Sequence, residues 1–553
     1  MTVWRLARVV APWAIVLSLV SDCGLQPAAP APGTLRLGWR GSPDALNPGT
    51  AMLAEAYTLF ELVYDSLYER RLDGTFALSL ADSVATSADG LTWTFRLRPG
   101  VRFHDGHPLT AEDVAYSCEL YRRHADFPYL NTYTRSFAET TALDSQTVQL
   151  RLERPVPDLP SRLVFLYVLP AHVWRAAIAD SDATLFANQD MVGSGPFRMS
   201  GYRQNEFVHL VANSAHFATP PRIRELILQT YHNQDALVQA LRTGQLDVIT
   251  ELPATAVPKL RQVPQVTVVV GTPLAPEVTD IAINQVQPAD CPRDQGGRCT
   301  GHPALRDAAV RRALGEAMDP QALVDVALMG LGRRGKTLIP DGLGAWFNTQ
   351  LPDRGGQLAQ AAARLEAAGY RDRDGDGIRE MPDGSQSLVF RLHWPNDIAE
   401  APRVAQLLAR WWRAIGIDTR LQAVDPEALT AQCCPAFDYD LMLWSWDSDP
   451  DPDLLLSVMT TAQIPTGTSE TGYSSPRYDS LYAAQASELD RQHRQDLVWQ
   501  MQQLAFDDAV YLIPYYAQAR QAYRTDRFRG WIIDQPRLAL EDVSSLVHVE
   551  PLF

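Results

Sequence analysis

The sequence predicts an α/β fold divided into more than one lobe, and three observations carry that reading. The first is length: 553 residues exceed what a single hydrophobic core organises, so two or three lobes are expected. The second is period-two patterning in the first half. Leu91, Trp93, Phe95 and Leu97 alternate with Thr92, Thr94, Arg96 and Arg98, as in a strand with one buried face. The third is a change of texture past Gly271. Helical segments over 355–368 and 402–414 are each followed by glycine and a β-type segment, the alternation of βα units.

Taken in order, strand Thr34–Trp39 opens the folded part, followed by a loop over 41–50 and a helix around 51–68. Asp73-Gly74 and Asp89-Gly90 are turn dipeptides in a strand-rich region that runs to residue 152. Thr110 with Asp113 stands at capping-box spacing and Leu109 with Val114 at staple spacing, so a helix begins at Ala111. A strand over 207–211, an extended segment over 222–230 and a helix over 233–243 come next, with Gly244 at the left-handed position that ends the helix. In the 402–414 helix, Val404, Leu407, Leu408, Trp411 and Ile415 form one apolar face. No internal repeat interrupts this order.

Composition narrows the function. Apolar residues make up 46% and charged residues 21%, ordinary for a soluble globular protein. A net charge of −16 argues against nucleic acid, which calls for a basic face. It does not select a cationic ligand, because surface charge mostly governs solubility. Residues 1–22 read as a signal peptide: Arg5 and Arg8 precede an apolar run over 9–20, shorter than the roughly 20 residues that span a bilayer. Cys23 follows, then the Pro/Ala-rich tether to residue 33. This looks like a bacterial lipoprotein anchored by a lipid on Cys23, with Asp22 departing from the usual Gly or Ala before such a cysteine. The competing reading is a cleaved soluble protein. Export permits disulfides; Cys291 and Cys299 flank a polar, turn-rich loop and are expected to bridge it. Adjacent Cys433 and Cys434 are not expected to bond to each other, and Cys118 is expected as a buried thiol.

Gly330 to Thr337 matches the P-loop pattern letter for letter. A P-loop needs a strand before it and a helix after it. Here a helical segment precedes and Pro340 follows, so a basic surface turn is expected. The stretch from Asp372 to Asp383 is different. Its carboxylates fall at positions 1, 3 and 5, with Gly at 6 and Asp at 12, the calcium-loop pattern with Asp replacing the usual bidentate Glu. Expected ligands are Asp372, Asp374, Asp376, the Ile378 carbonyl, and Asp383 or Glu380. The alternative is an acidic turn; either way the role is structural. His104-Asp105-Gly106-His107 reads as a turn. No GxSxG, HExxH or Cys–His arrangement supports an enzyme, and no cofactor is required. The segment 437–453 holds the ligand-site candidates. A strand delivers Trp444, Trp446, Asp447 and Asp449 to its C-terminal end, where open α/β sheets bind ligands.

Several of these pieces share an order. The stretch from Arg70 through Asp113 comes first, then Val192-Gly193-Ser194-Gly195-Pro196-Phe197 and Ala240-Leu241-Arg242-Thr243-Gly244-Gln245-Leu246-Asp247. His302 to Arg306, Val310 to Leu314 with Ala317-Met318-Asp319, Trp446 to Asp453, and Gly472 to Pro476 complete the series. In this order they resemble the extracellular solute-binding proteins of family 5, the peptide- and nickel-binding receptors of ABC importers.

The resemblance implies a bilobed periplasmic-binding-protein type 2 fold with a third small domain inserted early. Lobe I would comprise 34–50, 186–275 and 512–553, the inserted subdomain 51–185, and lobe II 276–511. The chain would cross between lobes near 273–284 and return near 511–516, making a hinge. In peptide-binding members an aspartate after the strand pairs with the ligand's α-amino group. Counting three residues from Trp446 puts that role on Asp449. Because this loop is one residue shorter before Asp451-Pro452 than the family pattern, Asp447 is the alternative. The implied protein is a monomeric exported receptor, periplasmic or at the outer face of the cytoplasmic membrane, that binds short peptides by lobe closure, strand edges pairing with the peptide backbone, and serves a permease. The same scaffold would also suit a nickel chelate, a sugar or an opine. A sensory lipoprotein without a transporter and a secreted hydrolase are the remaining alternatives.

Overall fold

The computed structural model describes residues 33–553 other than 128, 179–181, 399 and 466–467. The signal segment, most of the tether and Cys23 lie outside the described residues.

Strand Thr34–Trp39 lies inside an eight-stranded mixed sheet, flanked in parallel by Glu225–Thr230 and Val248–Ile249. Its alternation decides the packing. Leu35 and Leu37 are buried with Leu226, Leu228, Val208 and Leu210 on one face. On the other face Gly38 lets helix Gln234–Thr243 approach: a Cβ there would sit 2.5 Å from Leu237 and 2.4 Å from Leu246. That helix starts where the Asn233 side chain accepts the Ala236 N–H and ends on Gly244 at φ 77°.

The segment between the first two strands of this sheet's core holds a four-stranded antiparallel sheet built from Ala81–Thr86, Thr92–Leu97, Thr147–Leu152 and Phe137–Ala142. Helix Ala111–Arg123 begins on a complete Thr110/Asp113 capping box. The second Asp113 oxygen accepts the Ala171 N–H at 3.0 Å, so one side chain caps one helix and holds the next. Phe95, Val148 and Leu150 share a continuous core with Leu35 and Leu37. Glycines make that junction close: Gly195 N–H donates to the Val63 carbonyl at 2.9 Å, and a Cβ on Gly193 would lie 2.0 Å from the same oxygen.

The second sheet has six strands, ordered Gly332–Arg334, Tyr511–Ala517, Glu277–Ile283, Leu441–Asp447, Val389–Pro395 and Asp418–Val424. Both faces are covered. Ile281, Ile283, Leu392 and Leu443 pack toward helix Ala401–Arg413, while Val278, Ala282, Met442 and Ile513 pack toward the opposite side. The chain leaves the first sheet after Pro273 and enters the second at Glu277.

Four expectations are corrected. The return crossing falls at Gln518, not within 511–516, because Tyr511–Ala517 pairs with Glu277–Ile283 in the second sheet. Residues 512–517 therefore belong with lobe II. In helix Ala401–Arg413 the fully buried tryptophan is Trp412, whose Nε1 donates to the Leu314 carbonyl at 3.0 Å, while Trp411 and Leu407 are half-buried. The apolar stripe thus centres on Val404, Leu408 and Trp412. Cys433 and Cys434 are paired with each other, their Cα atoms 3.7 Å apart. Cys291 and Cys299 are joined across 6.1 Å between Cα atoms, and Cys118 is a buried thiol. The P-loop match, expected as a surface turn, instead contains the edge strand Gly332–Arg334, paired with Tyr515–Ala517 after helix Pro320–Ala327.

Candidate functional site

Strand Leu441–Asp447 runs through the middle of the second sheet and ends at the chain crossing, so the loop after it faces the other lobe. Ser448 fixes that loop. Its N–H and its hydroxyl both donate to the Pro276 carbonyl, at 3.2 and 2.6 Å. Asp447 and Asp449 flank this anchor.

Asp449 is half-buried, and no cation within ion-pair distance meets it among the described residues. Its contact is the Tyr133 hydroxyl, which donates to the two carboxylate oxygens at 3.5 and 3.4 Å from the inserted subdomain. Burial pushes the Asp449 pKa up to about 6; the Tyr133 hydrogen bond opposes the rise and the neighbouring Asp451 adds to it. Asp447 is exposed, yet the protein around its carboxylate still raises its pKa by desolvation. Trp444 and Trp446 are half-buried against the core of lobe II. Trp446 Nε1 donates to Glu470 at 2.9 Å, so its polar edge is engaged inside the lobe.

The other aspartates of the run have different fates. Asp451 forms a bidentate pair with Arg494 at 2.6 and 2.7 Å, both side chains buried. Although burial opposes it, the Asp451 carboxylate raises the Arg494 pKa. Asp453 accepts from Gln485 at 2.8 Å and meets Arg162 of the inserted subdomain at 3.4 Å. Arg162 is also held by Asp158 at 2.9 Å. Among the described residues, the run of acids therefore contains one intra-lobe pair, one inter-lobe pair and two carboxylates without a cation, Asp447 and Asp449, of which Asp449 is the more buried.

Opposite Asp449 the inserted subdomain presents an aromatic wall. Tyr133 stacks on Phe165 at 5.4 Å between centroids, and Tyr57 meets Tyr129 and Phe165 edge-on at 6.2 and 6.4 Å. Tyr129 is 43% exposed. None of these four stands out in the sequence. They come from separate short elements, and only their tertiary assembly makes a surface.

The family model for bacterial extracellular solute-binding proteins, family 5 Middle, matches residues 75–465. The chain belongs to that family. The oligopeptide-binding protein AppA of Bacillus subtilis (strain 168) is 24% identical over 499 residues, covering 89% of this chain and 87% of the relative. Among solved structures, the ABC transporter substrate binding protein CtaP from Listeria monocytogenes aligns with a TM-score of 0.80 at 22% identity, covering 94% of this chain and all of that one. NikZ from Campylobacter jejuni, in complex with Ni(L-His), aligns at 0.78 with 18% identity, covering 94% and 99%. These structural likenesses show the bilobed α/β fold. As a family 5 protein the chain is a solute-binding protein, and its aromatic wall and acidic loop lie where the lobes meet.

The remaining sequence candidates lie elsewhere. Asp372, Asp374, Asp376 and Glu380 gather at one point of lobe II, in the loop after helix Leu358–Ala367. Asp383 is not in that group: one of its oxygens accepts the Ser385 N–H at 3.0 Å and hydroxyl at 2.7 Å. The His104–His107 stretch is a turn, with Gly106 at φ 89° and its N–H donating to the Phe103 carbonyl. His104 ties it to the glycine-rich junction through Gly193 N–H and the Gly195 carbonyl. Among the described residues no helix is long and apolar enough to cross a membrane.

Proposed function

We propose that this protein is the exported receptor of an ABC importer, anchored by a lipid on Cys23, which captures short peptides by lobe closure and delivers them to a permease. Asp449 receives the ligand's α-amino group. The observation that carries this is a half-buried carboxylate, without a cation, held at the lobe junction against an aromatic wall. Such a group lacks a positive partner, and an ammonium would supply one. Asp447, exposed at the end of the strand, is the secondary anionic contact, and the half-buried Trp444 and Trp446 complete that side. The wall of Tyr57, Tyr129, Tyr133 and Phe165 accepts varied side chains because large rings offer contact area without a specific polar demand. The oligopeptide-binding relative AppA supports a peptide over other solutes. A calcium in the acidic loop would be structural and lies outside ligand capture.

Calorimetry with a short free-amine peptide and its N-acetylated twin tests the reading. The free-amine peptide is expected to bind and the acetylated one to bind poorly. Equal affinity for both would remove the amine role from Asp449, and no affinity for any peptide would remove peptides as the ligand class.

A further inference from the structure

We propose that the loop between helix Leu358–Ala367 and strand Val389–Pro395 is a calcium site closed by Glu380, the ninth residue of the loop, and not by the twelfth. Asp372, Asp374, Asp376 and Glu380 each bring a carboxylate oxygen within 4.8 Å of the other three. Oxygens on opposite sides of a calcium ion, each 2.3–2.6 Å from it, stand roughly 5 Å apart, so the group has the span of one such ion.

The backbone holds the loop in shape. Asp372 accepts the Gly375 and Gly377 N–H groups at 2.7 and 2.9 Å, Asp374 accepts that of Asp376 at 3.1 Å, and Asp376 that of Ile378 at 2.7 Å. These bonds alone would describe an acidic turn. Glu380 separates the two readings. It is 7% exposed; one oxygen accepts the Arg373 N–H at 2.8 Å, and the other is buried with no donor among the described residues. A buried carboxylate oxygen without a donor is unfavourable, and this carboxylate is the one gathered with three aspartates.

The neighbouring cations are engaged elsewhere. Arg373 donates from its guanidinium to the Pro382 carbonyl at 2.7 Å, and Arg379 is tied to Glu366, the Tyr370 carbonyl and the Ile415 carbonyl. Four carboxylates converging with no ion-pair partner among the described residues repel one another. A hard divalent cation, which takes oxygen ligands, neutralises them and gives the Glu380 oxygen its partner. The Ile378 carbonyl stands at the loop position that donates a backbone oxygen. Bridges from Arg371 to Glu380 and from Glu380 to Ser387 place the ion at the root of a hairpin in lobe II. Its effect is on that lobe's stability.

The test is a melting series on the exported protein, first in chelator and then with added calcium chloride or magnesium chloride. Calcium should raise the Tm saturably by a few degrees, and magnesium should raise it less. Glu380→Gln should reverse sign between conditions: as stable as the parent or more so in chelator, and less stable in saturating calcium. Asp374→Asn, an exposed change that leaves folding intact, should need at least tenfold more calcium for the same rise. Asp383→Asn should leave the response unchanged. A Tm indifferent to both chelator and calcium overturns the proposal. So does a response that Asp383→Asn abolishes and Glu380→Gln keeps.

Discussion

Two acidic runs in lobe II, from Asp447 to Asp453 and from Asp372 to Glu380, look alike as sequence and are built in opposite ways. In the first, long-range partners separate the charges. Arg494 takes Asp451 from a helix later in the chain, and Arg162 reaches Asp453 from the other side of the cleft. In the second, local backbone N–H groups converge the charges on one point. Among the described residues, dispersal leaves Asp447 and Asp449 without a cation, and of the two it is Asp449 that is half-buried at the lobe junction against Tyr133. Convergence leaves a cluster with a cation's dimensions. Acid density in a sequence therefore says little about chemistry until the cations that answer it are known.

The largest expected effect breaks the dispersed arrangement. Arg494→Met removes the bidentate partner of a buried carboxylate, and the uncompensated charge should destabilise lobe II by about 3–5 kcal/mol. Urea denaturation followed by lobe II tryptophan fluorescence measures it. A loss under ~1 kcal/mol would mean that Asp451 finds water or another donor. The runs would then differ less than the geometry implies.

Next are the two carboxylates that dispersal leaves over. Asp449→Asn should weaken free-amine peptide binding by about 2–5 kcal/mol, read by calorimetry, with little change in stability. Asp447→Asn, altering an exposed group, should lower affinity by less than ~1 kcal/mol. If the two changes have the reverse ranking, the amine role belongs to Asp447, and Ser448 then orients the loop for its other neighbour.

The pH dependence sharpens the same assignment. Burial places the Asp449 pKa at about 6, and an ammonium ligand binds the ionised form. Protons therefore compete: affinity should be highest between about pH 6 and 8 and fall about tenfold per unit well below that range. An α-amino group loses its proton near ~8, which sets an alkaline limb. The expected profile is a bell, and Asp449→Asn should remove only its acid side. An acid limb unchanged in the variant would place the titrating group elsewhere.

The range of each interaction decides how legible it is in the sequence. Helix Ala111–Arg123 and the turn at Gly244 are readable because capping box and left-handed glycine are written within a few residues. The lobe to which strand Tyr511–Ala517 belongs is not readable, because nearly every residue in it is buried, leaving no alternation to say which sheet it joins. Trp411 and Trp412 both fit an apolar stripe. The hydrogen bond to Leu314, almost a hundred residues away, selects Trp412. At the site, the acidic loop's strand-end position is legible. Tyr133, Arg162 and Arg494 are not, because each acts from another part of the chain.

The smallest effect concerns Tyr133. Its hydroxyl donates to Asp449 at 3.4–3.5 Å, long for an O–H···O bond, which usually measures about 2.7–2.8 Å. Tyr133→Phe keeps the ring stacked on Phe165 and removes only that donor. A bound amine would take the donor's place at the carboxylate, so peptide affinity at about pH 7.5 should change by less than about 1 kcal/mol. The acid limb of the binding profile should instead move above 6, because the hydrogen bond that holds the Asp449 pKa down is gone. Calorimetry from about pH 5 to 8 reads both quantities together. If Tyr133→Phe loses as much affinity as Asp449→Asn, the hydroxyl is itself a ligand contact, and the half-buried carboxylate left over by dispersal is the tyrosine's partner rather than the ligand's.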